Sequence, residues 1–305
     1  MKSTMVHCYF IGFCGMAALA LALGCKSEPS KGSSSEQPSS SAKGKAPTPV
    51  SPEKVAEVVN PKKEAPYSGP TGTLKGTIRI KGDAAPMDSA TFPPECDEAA
   101  AMYAPLFRTG KDQALADALV AVTGYEGYVP AKEDAVKLTL RGCAISQRTV
   151  VATFGQRIEV ANIDKTATYM PYLDGAPFRV VMVAIPGGDP VKMYPQEPGH
   201  YMIRDQMGKL FMTSDVYALK YATHAVTGLD GRYEIAGIPV GKVKVNAFLP
   251  AADLTSDQEL EIKAGENIAD ITLEFDLKKY EERRANAAKK ITPKPLPSGE
   301  IGPKG

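Results

Sequence analysis

Residues Val226–Pro250 read VTGLDGRYEIAGIPVGKVKVNAFLP. Asp230-Gly231 is a turn dipeptide, and it launches a run in which Tyr233 and Ile235 share a face. Ile238-Pro239-Val240-Gly241 then turns the chain into a second run, with Val243, Val245, Ala247 and Leu249 on one face. Two runs of period two joined and preceded by turn residues predict an antiparallel hairpin.

The pattern continues on both sides. Downstream, Leu260-Glu261-Ile262 is followed by the turn Ala264–Asn267 and by Ile271, Leu273 and Phe275 in strict alternation. Upstream, Gly72–Ile80 alternates and ends at Gly82-Asp83. Further strands are expected at Ala118–Thr123, Val136–Leu140, Thr149–Phe154, Ile158–Asn162, Phe178–Ile185, His200–Arg204 and Val216–Tyr221. A short helix is expected near Glu98–Tyr103 in the otherwise poorly patterned residues 84–117. Many short strands separated by Pro- and Gly-bearing loops define an all-β chain built as a sandwich or barrel. Leu277–Lys290 is helix-friendly and highly charged, so a solvated helix is expected there, before a Pro- and Lys-rich tail.

The N-terminal end belongs to no core. Lys2 precedes an apolar run from about Tyr9 to Leu23, too short to span a bilayer comfortably. The run ends Leu21-Ala22-Leu23-Gly24-Cys25 and resembles a bacterial lipoprotein signal, which implies lipid on Cys25 and residues 1–24 as the signal peptide. The resemblance places the protein in the cell envelope. Lys26 in place of an aspartate favours the outer membrane by the enterobacterial sorting rule. Residues 25–70 are rich in Ser, Pro and Lys and are expected to be a disordered tether. Val55–Val59 holds at most a turn of helix, stopped by Pro61.

Five cysteines are present. Cys8 and Cys14 leave with the signal, and Cys25 is taken by lipid. Cys96 and Cys143 remain, and in an oxidising compartment two leftover thiols most economically form one disulfide. A loop of that length, about 46 residues, is worth roughly 3–4 kcal/mol on the chain-entropy account. The alternative, a metal or redox pair, lacks both CxxC spacing and a neighbouring histidine.

Two family resemblances follow from particular residues. Thr227, Asp230-Gly231, Tyr233, Ile235, Ile238-Pro239, Gly241, Val243 and Val245 resemble the carboxypeptidase regulatory-like, or transthyretin-like, β-sandwich, an accessory module in most of its settings. Its first strand is missing immediately upstream, and Gly72–Ile80 is the candidate. Cys143, Val150-Val151, Phe154-Gly155-Gln156, Ile158-Glu159-Val160 and Asn162-Ile163-Asp164 are similar to the cupredoxin-like domains of the methylamine-utilisation and plastocyanin type. Together these imply a cupredoxin-like region over 71–222, its first strand shared with the neighbour, a regulatory-like sandwich over 223–276, and the helix and tail over 277–305.

The cupredoxin resemblance implies copper, which needs two imidazoles, a thiolate and a weak axial thioether. The residues after Asp164 are Lys165-Thr166-Ala167-Thr168-Tyr169, without histidine. Arg204–Lys209, where cysteine and histidine belong, has neither. A type 1 copper site is therefore not expected. A thioether–imidazole site for Cu(I) would use His200 and Met202, on one strand face, with Met207; core filling by the methionines is the competing reading. Tyr169, Tyr172, Tyr194 and Tyr201, near the loops at 165–177 and 186–199, are candidates for a sugar-binding face, against a role as sandwich core.

Other chemistries lack their signatures. No framed serine nucleophile is present, and no Gly-rich phosphate loop precedes a helix. Tryptophan is absent, which weighs against a sugar-stacking face, and 36 basic residues stand against 35 acidic ones, which argues against a nucleic-acid partner. The expectation is a non-enzymatic envelope lipoprotein without a cofactor, a binding or scaffolding module that meets the membrane through Cys25 and an envelope protein or polysaccharide elsewhere. Copper handling and carbohydrate binding are the alternatives.

Overall fold

The computed structural model describes residues 48–291. The signal, Cys25, the first part of the tether and the final tail lie outside the described residues. The described residues are all-β, with sixteen strands in four four-stranded sheets. In chain order these are β1 (Thr71–Gly82), β2 (Leu119–Thr123), β3 (Ala135–Arg141), β4 (Ala144–Ile145), β5 (Thr149–Thr153), β6 (Arg157–Asn162), β7 (Pro171–Asp174) and β8 (Val191–Met193). They continue with β9 (Gly199–Asp205), β10 (Thr213–Leu219), β11 (His224–Val226), β12 (Arg232–Pro239), β13 (Gly241–Leu249), β14 (Leu254–Ile262), β15 (Gly265–Ile268) and β16 (Ile271–Phe275). Three helices, α1 (Pro52–Val59), α2 (Ala99–Tyr103) and α3 (Leu277–Ile291), accompany them.

The two runs of Val226–Pro250 form strands β12 and β13, but they do not pair as the expected hairpin and go to different sheets. β12 pairs antiparallel with β1, and β13 lies between β2 and β14. Alternate residues of both enter one core with Leu74, Ile78, Val120, Val122, Leu273 and Phe275. The turn explains the Asp-Gly pair: Gly231 sits at φ +68°, and a Cβ there would lie 2.6 Å from the Ile78 carbonyl oxygen. That closeness lets the Gly231 carbonyl accept from Ile78 N–H at 2.8 Å. β1 runs parallel to β15 at its start and to β16 at its end. Gly76 marks the change of partner, because a Cβ there would fall 1.8 Å from the Ala269 carbonyl oxygen.

β1, β2 and β11–β16 thus form a split sandwich, and β3–β10 form a second one inserted between β2 and β11. Two strands within 71–222, β1 and β2, accordingly pair with the 223–276 region. The inserted sandwich packs sheet β4-β3-β6-β8 against sheet β5-β10-β9-β7. Its core holds Leu138, Leu140, Ile158, Val160, Tyr201, Ile203 and Val216. Cys96 and Cys143 form a disulfide, with Cα atoms 4.8 Å apart. The segment between them includes β2, so the bond in the inserted core closes a loop that passes through the other sandwich.

The sandwiches meet sheet to sheet. Leu119, Ala121 and Val151 are buried although they face away from either inner core. Tyr217 meets Phe248 edge-on at 5.8 Å, and His224 Nε2 and Thr153 Oγ1 are hydrogen-bonded at 3.0 Å. Nearby, Arg108 makes a two-pronged bond to buried Asp117 at 2.8 and 2.7 Å, whose carboxylate also accepts from Arg148 N–H at 3.4 Å.

Three further expectations change. The tether is expected to run to residue 70, yet its last part is tied to the fold: Ser51 caps α1, Val55 packs against Gly155, and Tyr67 N–H donates to the Tyr128 carbonyl at 2.8 Å. Composition missed this because a few half-buried valines suffice when a preformed sheet supplies the other surface. The terminal helix is not wholly solvated: Leu277 and Tyr280 pack on the core, and Arg283 donates to the Ala252 and Asp253 carbonyls. Finally, Phe178–Ile185 is not a strand. Its one bridge is Tyr169–Ala184, which exchanges both backbone bonds. That register places Met182 opposite Pro171, and Pro171 has no N–H to continue the ladder.

Candidate binding site

The inserted sandwich ends in a bonded network where the cupredoxin resemblance implies a metal. Asn162 donates to the Ala167 and Ala184 carbonyls, both at 2.8 Å, and accepts from Asp164 N–H at 2.9 Å. Asp164 accepts from the Tyr169 hydroxyl at 2.7 Å and from the Gly142 and Lys165 amides at 2.9 and 2.7 Å. Burial acts to raise its pKa, and the Tyr169 hydroxyl with these amides overcomes that and holds it down to about 2. Tyr169 is fully buried, and its oxygen also accepts from Cys143 N–H at 2.9 Å. Burial and the Asp164 carboxylate both push the phenol upward. The Asn-x-Asp motif therefore serves a tyrosine clamp, and its donors do not fit type 1 copper.

The Cu(I) candidates are not assembled. His200 and Met202 do share the outer face of β9. The His200 Nε2 is bonded to Asp215 Oδ1 at 2.7 Å and the ring stacks on Tyr217, while Met202 Sδ accepts from Arg204 at 3.1 Å. Met207 lies past the far end of β9, whose last residue Asp205 is already roughly 17 Å from His200 along the strand. Among the described residues, no three His, Cys, Asp or Glu side chains gather as a metal-holding group.

The four tyrosines do not form one face either. Tyr169 and Tyr201 belong to the core, and Tyr201 donates to the Glu197 carbonyl at 2.7 Å. Tyr172 is buried beneath the Arg179 guanidinium, which sits 3.8 Å from its ring centre. Tyr194 alone reaches a cleft.

That cleft is the concave feature of most interest, with a volume of about 160 Å³. It opens between the free edges of β7 and β8, the last strands of their sheets. Leu173 and Met193 form its floor, Tyr194 and Lys192 one side, and Phe178, Val180 and Met182 the other. The alternate residues of 178–182 thus face the cleft while the run itself has no strand partner. Phe178 is 72% exposed, Val183 54% and Ile185 55%. Together they form a contiguous exposed apolar cluster beside the cleft, the kind of surface feature that is often functional. From sequence the run is expected to be a strand. Its signal was there, in a nearly continuous apolar stretch lacking the alternation of its neighbours and bounded by Pro177 and Pro186.

No family model matches the chain, and no curated protein matches it. Among solved structures it is similar to auracyanin B, at 11% identity over 32% of this chain and 97% of that one, with a TM-score of 0.25. Reduced auracyanin from the photosynthetic bacterium Roseiflexus castenholzii matches at 10% over 29% of this chain and 98% of that one, TM-score 0.25. A reduced amicyanin variant matches at 11% over 32% and 98%, also at 0.25. The sheets themselves define an all-β protein of two interleaved sandwiches.

Proposed function

We infer that this chain is a non-catalytic binding module of the bacterial cell envelope, held at a membrane by lipid on Cys25 and recruiting a partner through the cleft and the exposed run Phe178–Ile185. The observation that carries the reading is that run, apolar and exposed beside a preformed apolar cleft. Supporting the compartment, the lipobox-like Leu21–Cys25 precedes the fold, the Cys96–Cys143 disulfide suits an oxidising space, and no described helix is long and apolar enough to cross a membrane. Lys26 favours the outer membrane. The inserted sandwich reads as a cupredoxin-like fold with its ligand positions given over to the Tyr169–Asp164 clamp, and the split sandwich as its regulatory-like platform. No geometric observation favours the copper-handling or sugar-binding alternatives, since neither residue set comes together.

The test is site-specific photo-crosslinking in living cells. A photoreactive residue at Phe178 should give a discrete protein adduct, and one at exposed Glu281 on α3 should not. Adducts equal at both positions, or at neither, would overturn the reading.

A further inference from the structure

The backbone of 178–183 is as informative as its side chains. None of these six residues takes part in a backbone hydrogen bond, or in any side-chain hydrogen bond, among the described residues. The run is nevertheless extended in character, since Phe178, Val180 and Met182 alternate into the cleft. Its own neighbour β7 cannot zip onto it past Pro171. What results is an extended but unpaired segment, apolar except for Arg179, with a row of N–H and C=O groups unclaimed among the described residues beside a cleft.

The chemistry of the occupant follows from what each candidate would leave unsatisfied. Bilayer hydrocarbon would cover the side chains but offers no partner to the backbone, and each unpaired group costs several kcal/mol there. A small apolar molecule leaves the same groups unpaired. An extended polypeptide meets both needs, with its backbone completing the ladder and alternate side chains entering the cleft. The charges narrow it further. Asp174 is taken by Arg204 at 2.8 Å, Glu159 by Arg157 at 2.7 Å, and Glu197 lies 3.9 Å from Lys54. Arg179, within the run, and Lys192, lining the cleft, have no carboxylate within 4 Å among the described residues.

We propose that Phe178–Val183 is a recipient strand that captures an extended, apolar, acid-flanked segment of a partner protein, adding it as a strand with one apolar side chain seated in the cleft. The proposal rests on the binding-module reading and names the partner's chemistry. A cleft of about 160 Å³ matches one aromatic or branched aliphatic side chain, since an engineered cavity of roughly 150 Å³ accepts benzene.

The experiment uses the purified full chain and capped hexapeptides of alternating valine and phenylalanine, flanked by glutamate or by lysine. Glutamate-flanked peptide should bind and slow hydrogen exchange at 178–183, and lysine-flanked peptide should not. Val181→Pro removes an outward N–H without touching the cleft. It should weaken binding about tenfold, the worth of one hydrogen bond, while the thermal midpoint stays put. Arg179→Glu with Lys192→Glu should reverse the preference toward the lysine-flanked peptide. Slow exchange at 178–183 before peptide is added, whether from closure onto β7 or from pairing of two copies, would overturn the proposal, as would peptide binding indifferent to Val181→Pro or binding to lipid vesicles in its place. Crosslinking at Phe178 that survives Val181→Pro would defeat strand capture alone and leave the binding module standing. Absence of any Phe178 adduct would defeat both.

Discussion

The split and inserted sandwiches each have eight strands in two sheets, yet they differ in how their surfaces end. The split sandwich closes its core with tight turns, Asp230-Gly231 among them, and presents alternating charged residues such as Glu259 and Glu261 on its edge strand β14. Such an edge resists adventitious pairing. The inserted sandwich is finished by side chains and loops: a disulfide, a buried tyrosine clamp and an irregular apolar run. Of nine large hydrophobic side chains exposed among the described residues, six lie in it, at Ile163, Phe178, Val183, Ile185, Met207 and Leu210. In the proposed reading one sandwich is a platform and the other carries the recognition surface.

The sharpest way to break that division is through the disulfide. Cys96→Ser with Cys143→Ser should cost about 3–4 kcal/mol in urea unfolding. Because the closed loop contains β2, hydrogen exchange should quicken in β13 as well as β6; quickening in β6 alone would mean the sandwiches are energetically separate.

Acid should open the seam between them next. Burial lowers the His224 pKa to about 4, so the folded protein holds it neutral. Below about pH 6.5 the unfolded chain gains a proton that the folded one refuses, and stability falls until about pH 4. The loss is about 3 kcal/mol at 1.36 kcal/mol per pH unit. His224→Gln should flatten that slope. Asp164 acts in a lower window: its depressed pKa contributes stability above about pH 4 that disappears as pH falls toward about 2. A single acid transition unaffected by His224→Gln would contradict the order.

Within the inserted sandwich, Tyr169→Phe leaves the Cys143 N–H without its acceptor and Asp164 without its hydroxyl donor. A loss of about 2 kcal/mol in chemical denaturation is expected. The smallest effect belongs to the exposed run. Val181→Pro breaks no hydrogen bond in the free protein, so its cost should stay within about 0.5 kcal/mol. A larger cost would show that the run already pairs internally.

How far the residues announced these features depends on the range of the interaction. β12, β13 and β16 were legible because alternation and turn residues are local, and so were β3, β5, β6 and β9 to within a residue or two. β8 and β11, three residues each, are too short to hold a pattern. α1 was hidden because its stability comes from the surface beneath it. Phe178–Ile185 misled for the opposite reason: its strand propensity is real, but the residue that should pair with Met182 is a proline more than ten positions away.

The candidate site was half legible. The missing copper ligands after Asp164 could be read directly, and the pairing of Cys96 with Cys143 followed from counting thiols. Tyr169 could be flagged but not assigned, since its partners Asp164 and Cys143 come from separate loops.

Local pattern was enough for the all-β class, the central turn and the single disulfide, because backbone geometry and thiol number are properties of short stretches and of composition. The interleaving of the two sandwiches, the burial of Tyr169, the half-buried setting of His224, the docking of α1 and the unpaired state of Phe178–Val183 were decided by tertiary structure. Each depends on which distant backbone or side chain arrives opposite, and that is set by the packing of whole sheets.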